Sequence, residues 1–170
     1  MHRIAQFFAI SAAQLAADWR KSGLTDPAPE ALPLPKRATG GSAGYDFFSP
    51  VDFTLQPSET ILLPTGVRVR IDEGWVLLLM PRSSLGFKYR LQLANTVGVI
   101  DSDYFGADNE GHIHLKLTND SREGRVLTIR RGEAIAQGIF VPYGITVDDE
   151  TTEKRFGGFG STNRTPQKEG

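Results

Sequence analysis

Cysteine is absent from all 170 residues, which excludes disulfide frameworks, thiolate zinc sites and cysteine nucleophiles together. An excess of either charge is missing too: 19 Lys and Arg stand against 20 Asp and Glu, a formal net of −1. No overall basic field exists to hold a nucleic-acid backbone non-specifically. The longest apolar run, "WVLLLMP" at 75–81, falls far short of the roughly 18 residues that span a bilayer. The opening "MHRIAQFFAIS" lacks the charged region, long apolar core and small-residue cleavage site of a secretory leader. These absences predict a soluble, cytoplasmic protein with no membrane or direct nucleic-acid partner, and they leave a small charged substrate open. The length fits one domain with a sizeable core.

Helix is scarce. Arg3 to Ile10 reads as a short apolar strand, and Ser11 then opens "SAAQLAADWRKSG", with Gln14 three residues on as in a capping box and Gly23 as the stop. Leu15 and Trp19 share one face at i, i+4 spacing. Four prolines in "TDPAPEALPLPK" make an extended connector that cannot continue that helix. The predicted organisation is a strand and helix at 1–24, the connector at 25–36, a β domain at 37–153, and a Gly-rich arm and tail at 154–170.

The β domain is read from short alternating or apolar stretches punctuated by Gly, Pro, Asn and Asp: "VDFTL", "TILLP", "GVRVRI", "WVLLLM", "YRLQL", "HIHLKLT", "RVLTI" and "IAQGIFV". With no helices between them, they argue for an all-β sandwich, barrel or jelly roll rather than a parallel α/β sheet.

Four stretches carry candidate chemistry. "PRSSLGFK" (81–88) ends the most apolar strand with Arg82, Ser83, Ser84 and Lys88. A guanidinium fork with hydroxyl and backbone donors in a turn suits a polyanion, although an ordinary polar turn has the same composition. "NTVGVIDSDYFG" (95–106) delivers Asp101, Asp103 and Tyr104 after an apolar strand, and an ionised Asp can orient and deprotonate water. A calcium loop is excluded, because Phe105 and His112 stand where oxygen ligands are needed. "HIH" sets His112 and His114 on one face of a strand, read as solvated or lining a cleft, with no third metal ligand evident. "KRFGGFGSTN" (154–163) lacks the Gly-Lys-Ser/Thr ending of a P-loop, yet its glycines, Lys154, Arg155, Ser161 and Thr162 suit phosphate, and Phe159 offers a stacking face.

The order of these stretches carries more than each alone. "SAGYDFF" (42–48), "PRSSLG", "NTVGVIDSDY", "RRGEAIAQ" (130–137) and "RFGGFGST" together resemble the five ordered motifs of the trimeric deoxyuridine triphosphatase (dUTPase) family, over about residues 34–162. The resemblance implies a jelly-roll β-barrel with a flexible Gly-rich arm, assembled as a homotrimer with active sites at subunit interfaces. It implies hydrolysis of dUTP to dUMP and pyrophosphate, keeping uracil out of DNA, with Mg²⁺ held by the triphosphate and water rather than by the protein. Asp101 then matches the carboxylate that activates the attacking water, and Gln137 and Arg82 match groups at the water and phosphates. Ser83 and Ser84 match the phosphate-binding second motif, and Asp46 a supporting aspartate. Asn95 and the backbone of Gly98, Val99, Ile100 and Asp101 match the hairpin that reads uracil, with His114 as a further backbone contact. Tyr104 matches the ring under deoxyribose that leaves no room for a 2′-hydroxyl. Phe159 matches the ring that closes over uracil, and Gly160, Ser161 and Thr162 match the phosphate-wrapping loop.

Departures from the family pattern are specific. Its fifth-motif arginine falls on Lys154, while Arg155 sits where glycine is common, so the γ-phosphate contact is open between the two. Ser84 replaces a frequent glycine. "GADNE" (106–110) looks like a five-residue insertion, and the helix at 11–22 precedes the usual start of the family; neither has an assigned role. Two rivals share the scaffold. A dCTP deaminase needs a glutamate where this chain has Lys116, which cannot act as that carboxylate. A non-catalytic nucleotide-binding or regulatory trimer would not require Asp101, Tyr104, Arg82 and Gln137 together.

Overall fold

The computed structural model describes residues 2–153, 155 and 157. Its elements in chain order are β1 (Ala5–Ala9), α1 (Ala12–Ser22), β2 (Lys36–Arg37), β3 (Tyr45–Phe48), β4 (Phe53–Leu55), β5 (Thr60–Pro64), β6 (Val67–Ile71), β7 (Trp75–Pro81), α2 (Ser83–Tyr89), β8 (Leu91–Leu93), β9 (Gly98–Ile100), a 3-10 turn (Ser102–Gly106), β10 (His114–Asn119), β11 (Leu127–Ile129) and β12 (Ala134–Pro142). Each alternating stretch of the sequence contains a strand, and the motif around Tyr45 adds β3.

All strand pairs are antiparallel. The largest sheet runs β2-β3-β12-β7-β9, a second runs β5-β10-β8, and β1-β6 and β4-β11 form two ribbons. The small sheets surround one core in a jelly-roll arrangement. β10 shows how its sequence produces this: Leu115, Leu117 and Asn119 are buried while Lys116 between them is exposed, the period-2 pattern of a half-buried strand. Phe47, Leu77, Leu79 and Ile135 fill the interior from the large sheet. Among the described residues no helix is long and apolar enough to cross a membrane.

The N-terminal elements belong to this wall. β1 pairs with β6 from Ala5 opposite Ile71 to Ala9 opposite Val67. Phe7 points inward and meets Phe47 edge-on, with ring centroids 5.8 Å apart, while Phe8 packs on Phe105 of the 3-10 turn at 5.6 Å. α1 buries Leu15, Asp18 and Trp19. Ser11 caps it through Oγ, which accepts from Gln14 N at 3.1 Å, and Gly23 ends it at φ 76°, a left-handed turn that glycine adopts without a Cβ clash. The return bond of a capping box is not made by Gln14. Its side chain donates instead to Asp18 Oδ2 at 2.7 Å, and Ser11 N donates to Glu110 Oε2 at 2.9 Å, 99 residues away.

Candidate active site

Two groups of the motif residues are assembled by the sheets. The first lies where β3, β7 and β12 run side by side. Gln137 stands opposite Asp46 on one side and Met80 on the other. A bulge in β12 between Ala134 and Ala136 sets that register, and the carbonyl of the bulged Ile135 accepts from Arg82 N at 3.1 Å, so the bulge joins the second and fourth motifs directly. Gly44 sits beneath Gln137: a Cβ there would come within 2.8 Å of Gln137 Oε1. Arg82 Nε lies 3.8 Å from Asp46 Oδ1, an ion pair exposed enough to contribute little to stability and to be exchanged for an anionic ligand.

Ser83 and Ser84 depart from the expected turn. They are the first residues of α2, with Arg82 at the N-cap. Leu85 N and Gly86 N both donate to the Arg82 carbonyl, whereas the N–H groups of Ser83 and Ser84 precede any intrahelical acceptor and stay available. Their hydroxyls are exposed with them.

The second group is built on β9. Between β8 and β9 the chain reverses through Asn95, Thr96 and Val97, with Thr96 at φ 67° and its N–H on the Leu93 carbonyl at 2.8 Å. Gly98 is required: β9 packs so closely on β7 that a Cβ would meet Leu79 Cβ at 3.0 Å. Val99 points out and Ile100 points in, and Asp101 follows at the strand end, half-exposed, as the N-cap of the 3-10 turn. Tyr104 drops from that turn into the core, 5% exposed. Its hydroxyl donates to the His112 carbonyl at 2.9 Å and accepts from Asn109 Nδ2 at 2.8 Å. Burial pushes its phenol pKa up.

Arg155 closes over this group. Its Nη2 donates to Asp101 Oδ2 at 2.6 Å and its Nε to Asp103 Oδ1 at 2.9 Å, with the guanidinium 5.8 Å from the Tyr104 ring centroid. One fork thus spans both carboxylates and the aromatic face. Lys154, Phe159, Gly160, Ser161 and Thr162 lie outside the described residues.

The two histidines differ from the sequence expectation. His112 is fully buried and His114 nearly so, rather than solvated on a strand face, because α1 covers them and brings Asp18 between them. Asp18 Oδ2 is 2.7 Å from His112 Nδ1 and 3.7 Å from His114 Nε2. This supplies the third group that the sequence lacked, and the three ligand atoms lie within 4.8 Å of one another. Hydrogen bonding nevertheless occupies both ring nitrogens of His112. Gly66 N–H donates to His112 Nε2 at 2.9 Å, so the proton of the neutral ring sits on Nδ1 and goes to Asp18. His114 Nδ1 likewise donates to the His112 carbonyl at 3.0 Å. Desolvation, reinforced by His114, lowers the His112 pKa to about 4 despite the Asp18 contact. The cluster is a buried clamp between α1 and β10.

The insertion at 106–110 is also built in. Glu110 at φ 59° and Gly111 at φ 68° turn the chain sharply, and a Cβ at Gly111 would sit 2.5 Å from the Tyr104 carbonyl oxygen. Glu110 reaches back to Ser11, and the Ser11 hydrogen bonds hold its carboxyl below the usual range. Sequence reasoning gave no role to Asp18 or Asn109. Nothing local marks either, since their partners are 94 and five residues away across a chain reversal.

Comparison with known proteins bears on this arrangement as a whole. The family model for dUTPase matches residues 30–163. The deoxyuridine 5′-triphosphate nucleotidohydrolase of Lactococcus lactis subsp. lactis (strain IL1403) is 44% identical over 132 residues, covering 76% of this chain and 87% of that protein. That of Photorhabdus laumondii subsp. laumondii is 42% identical over 143 residues, covering 79% and 90%. Among solved structures, the dUTPase of Streptococcus mutans superposes with a TM-score of 0.61 at 33% identity, over 82% of this chain and 97% of that one. A mutant dUTPase of phage phi11 of S. aureus, described as coordinating a structural Mg(II) ion, shares the fold with a TM-score of 0.63 at 23% identity, over 89% and 98%. The match runs through both groups of motif residues and most of the length of these relatives, and this chain belongs to the dUTPase family.

Proposed function

We propose that the protein hydrolyses dUTP to dUMP and pyrophosphate, with Asp101 as the general base. The observation that carries this reading is the position of Asp101 at the end of β9, its carboxylate half-exposed beside Tyr104 and held, among the described residues, by the arm residue Arg155. Once nucleotide draws the arm away, that carboxylate takes a proton from water as the water oxygen attacks the α-phosphorus. The α–β bridging P–O bond breaks, and pyrophosphate leaves.

The other residues take positions consistent with this step. Arg82, the free N–H groups of Ser83 and Ser84, and Gln137 gather donors for phosphate oxygens and the attacking water. Asp46 holds Arg82 in place. Asn95 and the backbone of the reversal from Gly98 to Asp101, with His114, face the uracil edge, and the Tyr104 ring lies against deoxyribose. The substrate is the Mg²⁺ complex of dUTP. The donor set fits a metal that arrives with the triphosphate: Arg155 already occupies Asp101 and Asp103, and His112 is held at both ring nitrogens by Asp18 and Gly66. When bound, the ion neutralises phosphate charge.

A homotrimer completes the site. Within one chain the Arg82 group is held on β3, β7 and β12 and the Asp101 group on β9, whose outward side chain is the apolar Val99, 57% exposed. A second subunit covering that apolar strand would bring the two groups of neighbouring chains to one nucleotide, with the arm of a third over it. The deaminase reading has no support, since Lys116 lies exposed on β10 where its carboxylate is needed.

Pyrophosphate release from Mg·dUTP tests the reading. Wild type should turn over and Asp101→Asn should lose on the order of 10²–10⁴ in kcat, the contribution of a positioned general base, while still binding dUTP. Binding without turnover by the wild type would favour the regulatory trimer instead.

A further inference from the structure

We propose that Asn109, His112 and Asp18 are positioning residues for Tyr104, which fix the height of its ring and through it the selectivity for deoxyribose over ribose. The inference rests on the reading of Tyr104 as the sugar-facing ring.

The hydrogen bonds around the Tyr104 hydroxyl have a determined direction. Gly111 N–H donates to Asn109 Oδ1 at 3.2 Å, which fixes the amide so that Nδ2 faces Tyr104, 2.8 Å from its oxygen. The hydroxyl therefore accepts from Asn109, and its own proton goes to the His112 carbonyl at 2.9 Å. The residue that carries this carbonyl is itself held at both ring nitrogens, by Asp18 at 2.7 Å and by Gly66 N–H at 2.9 Å. Asp18 in turn is held by Gln14 at 2.7 Å within α1. A continuous chain of bonds runs from the N-terminal helix, through His112 just before β10, to the far end of the tyrosine.

The elements that supply this chain are α1 and the 106–110 insertion, the two features for which the motif residues have no use. They are also joined to each other, through Ser11 and Glu110. The hydroxyl of Tyr104 points into the protein, so its polar end is a tether, and its ring is the part that meets the Arg155 guanidinium, 5.8 Å from the centroid. Rejecting a ribonucleotide by lack of room demands that the ring not yield by a few tenths of an ångström. A ring free to tilt about Cβ makes that room, and a ring pinned at its para position does not.

The test is the ratio of kcat/KM for dUTP to that for UTP, measured with Mg²⁺ on full-length protein. Tyr104→Phe keeps the ring and removes both tethers, and Asn109→Ala removes one. Each should lower the ratio, by about tenfold and about threefold, chiefly through faster UTP turnover, which is the scale of one or two net hydrogen bonds. Asp18→Ala should lower it too, whereas Asp18→Asn, which keeps an oxygen for His112 Nδ1–H, should hold it near the wild-type value. A merely structural role would reduce melting temperature and both activities together and leave the ratio in place. That outcome in folded Tyr104→Phe and Asn109→Ala overturns the inference. Tyr104→Ala separates it from the reading beneath: if this variant relaxes the ratio and the tether variants do not, only the tether is wrong, and if even Tyr104→Ala leaves the ratio intact, both fall.

Discussion

Arg155 Nη2 lies 2.6 Å from Asp101 Oδ2, joining the proposed base to the arm across 54 residues of sequence. With Nε on Asp103 at 2.9 Å, one edge of the guanidinium spans both carboxylates, and in this state Asp101 is engaged by a cation. The family position of the phosphate-binding arginine falls on Lys154. With Arg155 at the base in this state, we propose Lys154 as the γ-phosphate contact. Lys154→Ala should raise KM for dUTP by about tenfold or more, the scale of a lost charge-assisted hydrogen bond, and Arg155→Ala should raise it less. The reverse order in steady-state kinetics would hand the phosphate to Arg155.

Removal of the arm after Glu153 provides a second test. All the strands among the described residues lie before that residue, so the shortened protein should melt within a few degrees of the full chain and keep its oligomeric state in sedimentation. On the proposed reading, in which the arm excludes water and holds the phosphates, turnover of dUTP should fall by orders of magnitude. Undiminished turnover would show that closure plays no part.

The buried His112 predicts how stability depends on acidity. Its folded pKa, about 4, lies below its ordinary value of 6.5, so the unfolded chain binds the extra proton first as pH falls. Stability from this group is complete above about 6.5 and is lost progressively from there down to about 4, by a total of about 3 kcal/mol. Asp18, lowered by its bonds to Gln14 and His112 against the opposing effect of burial, and His114, lowered by burial, add loss in the same direction. Urea unfolding at pH 7.5 and 5 should show the difference, and His112→Gln should flatten it. An equal slope in that variant would assign the effect elsewhere.

How much of this was legible in the sequence follows the range of the interactions. The strands could be read because alternation is local: Leu115, Lys116 and Leu117 announce both a strand and its inner face. The ends of α1 could be read for the same reason, since Ser11 and Gly23 act within a few residues. α2 could not, because its N-cap is Arg82, which makes no side-chain cap bond, and Gly86 and the exposed Phe87 resemble a turn. The order of the motifs pointed to Asp101, Arg82 and Gln137, whereas the bulge that seats Gln137 opposite Asp46 has no signature in "GEAIAQG". The histidines were read as solvated because Asp18, which buries and orients His112, is 94 residues away. A helix docked from the other end of the chain is invisible to any window along it.

The pairing of the chain's first elements with late ones also has a consequence for its synthesis. β1 and α1 leave the ribosome before the elements they pack on, carrying Phe7, Phe8, Leu15 and Trp19, and the partners that cover and cap them include Phe47, Val69, Glu110 and His112. At about 5–20 residues per second, the helix waits roughly 5–20 s for the turn that receives Ser11 and Asp18. During that interval an apolar strand and an unanchored amphipathic helix stand exposed, open to chaperones or to the same segment of another nascent chain. The docking of β1 and α1 thus waits on partners made much later, and the tyrosine tether is assembled only when it has occurred.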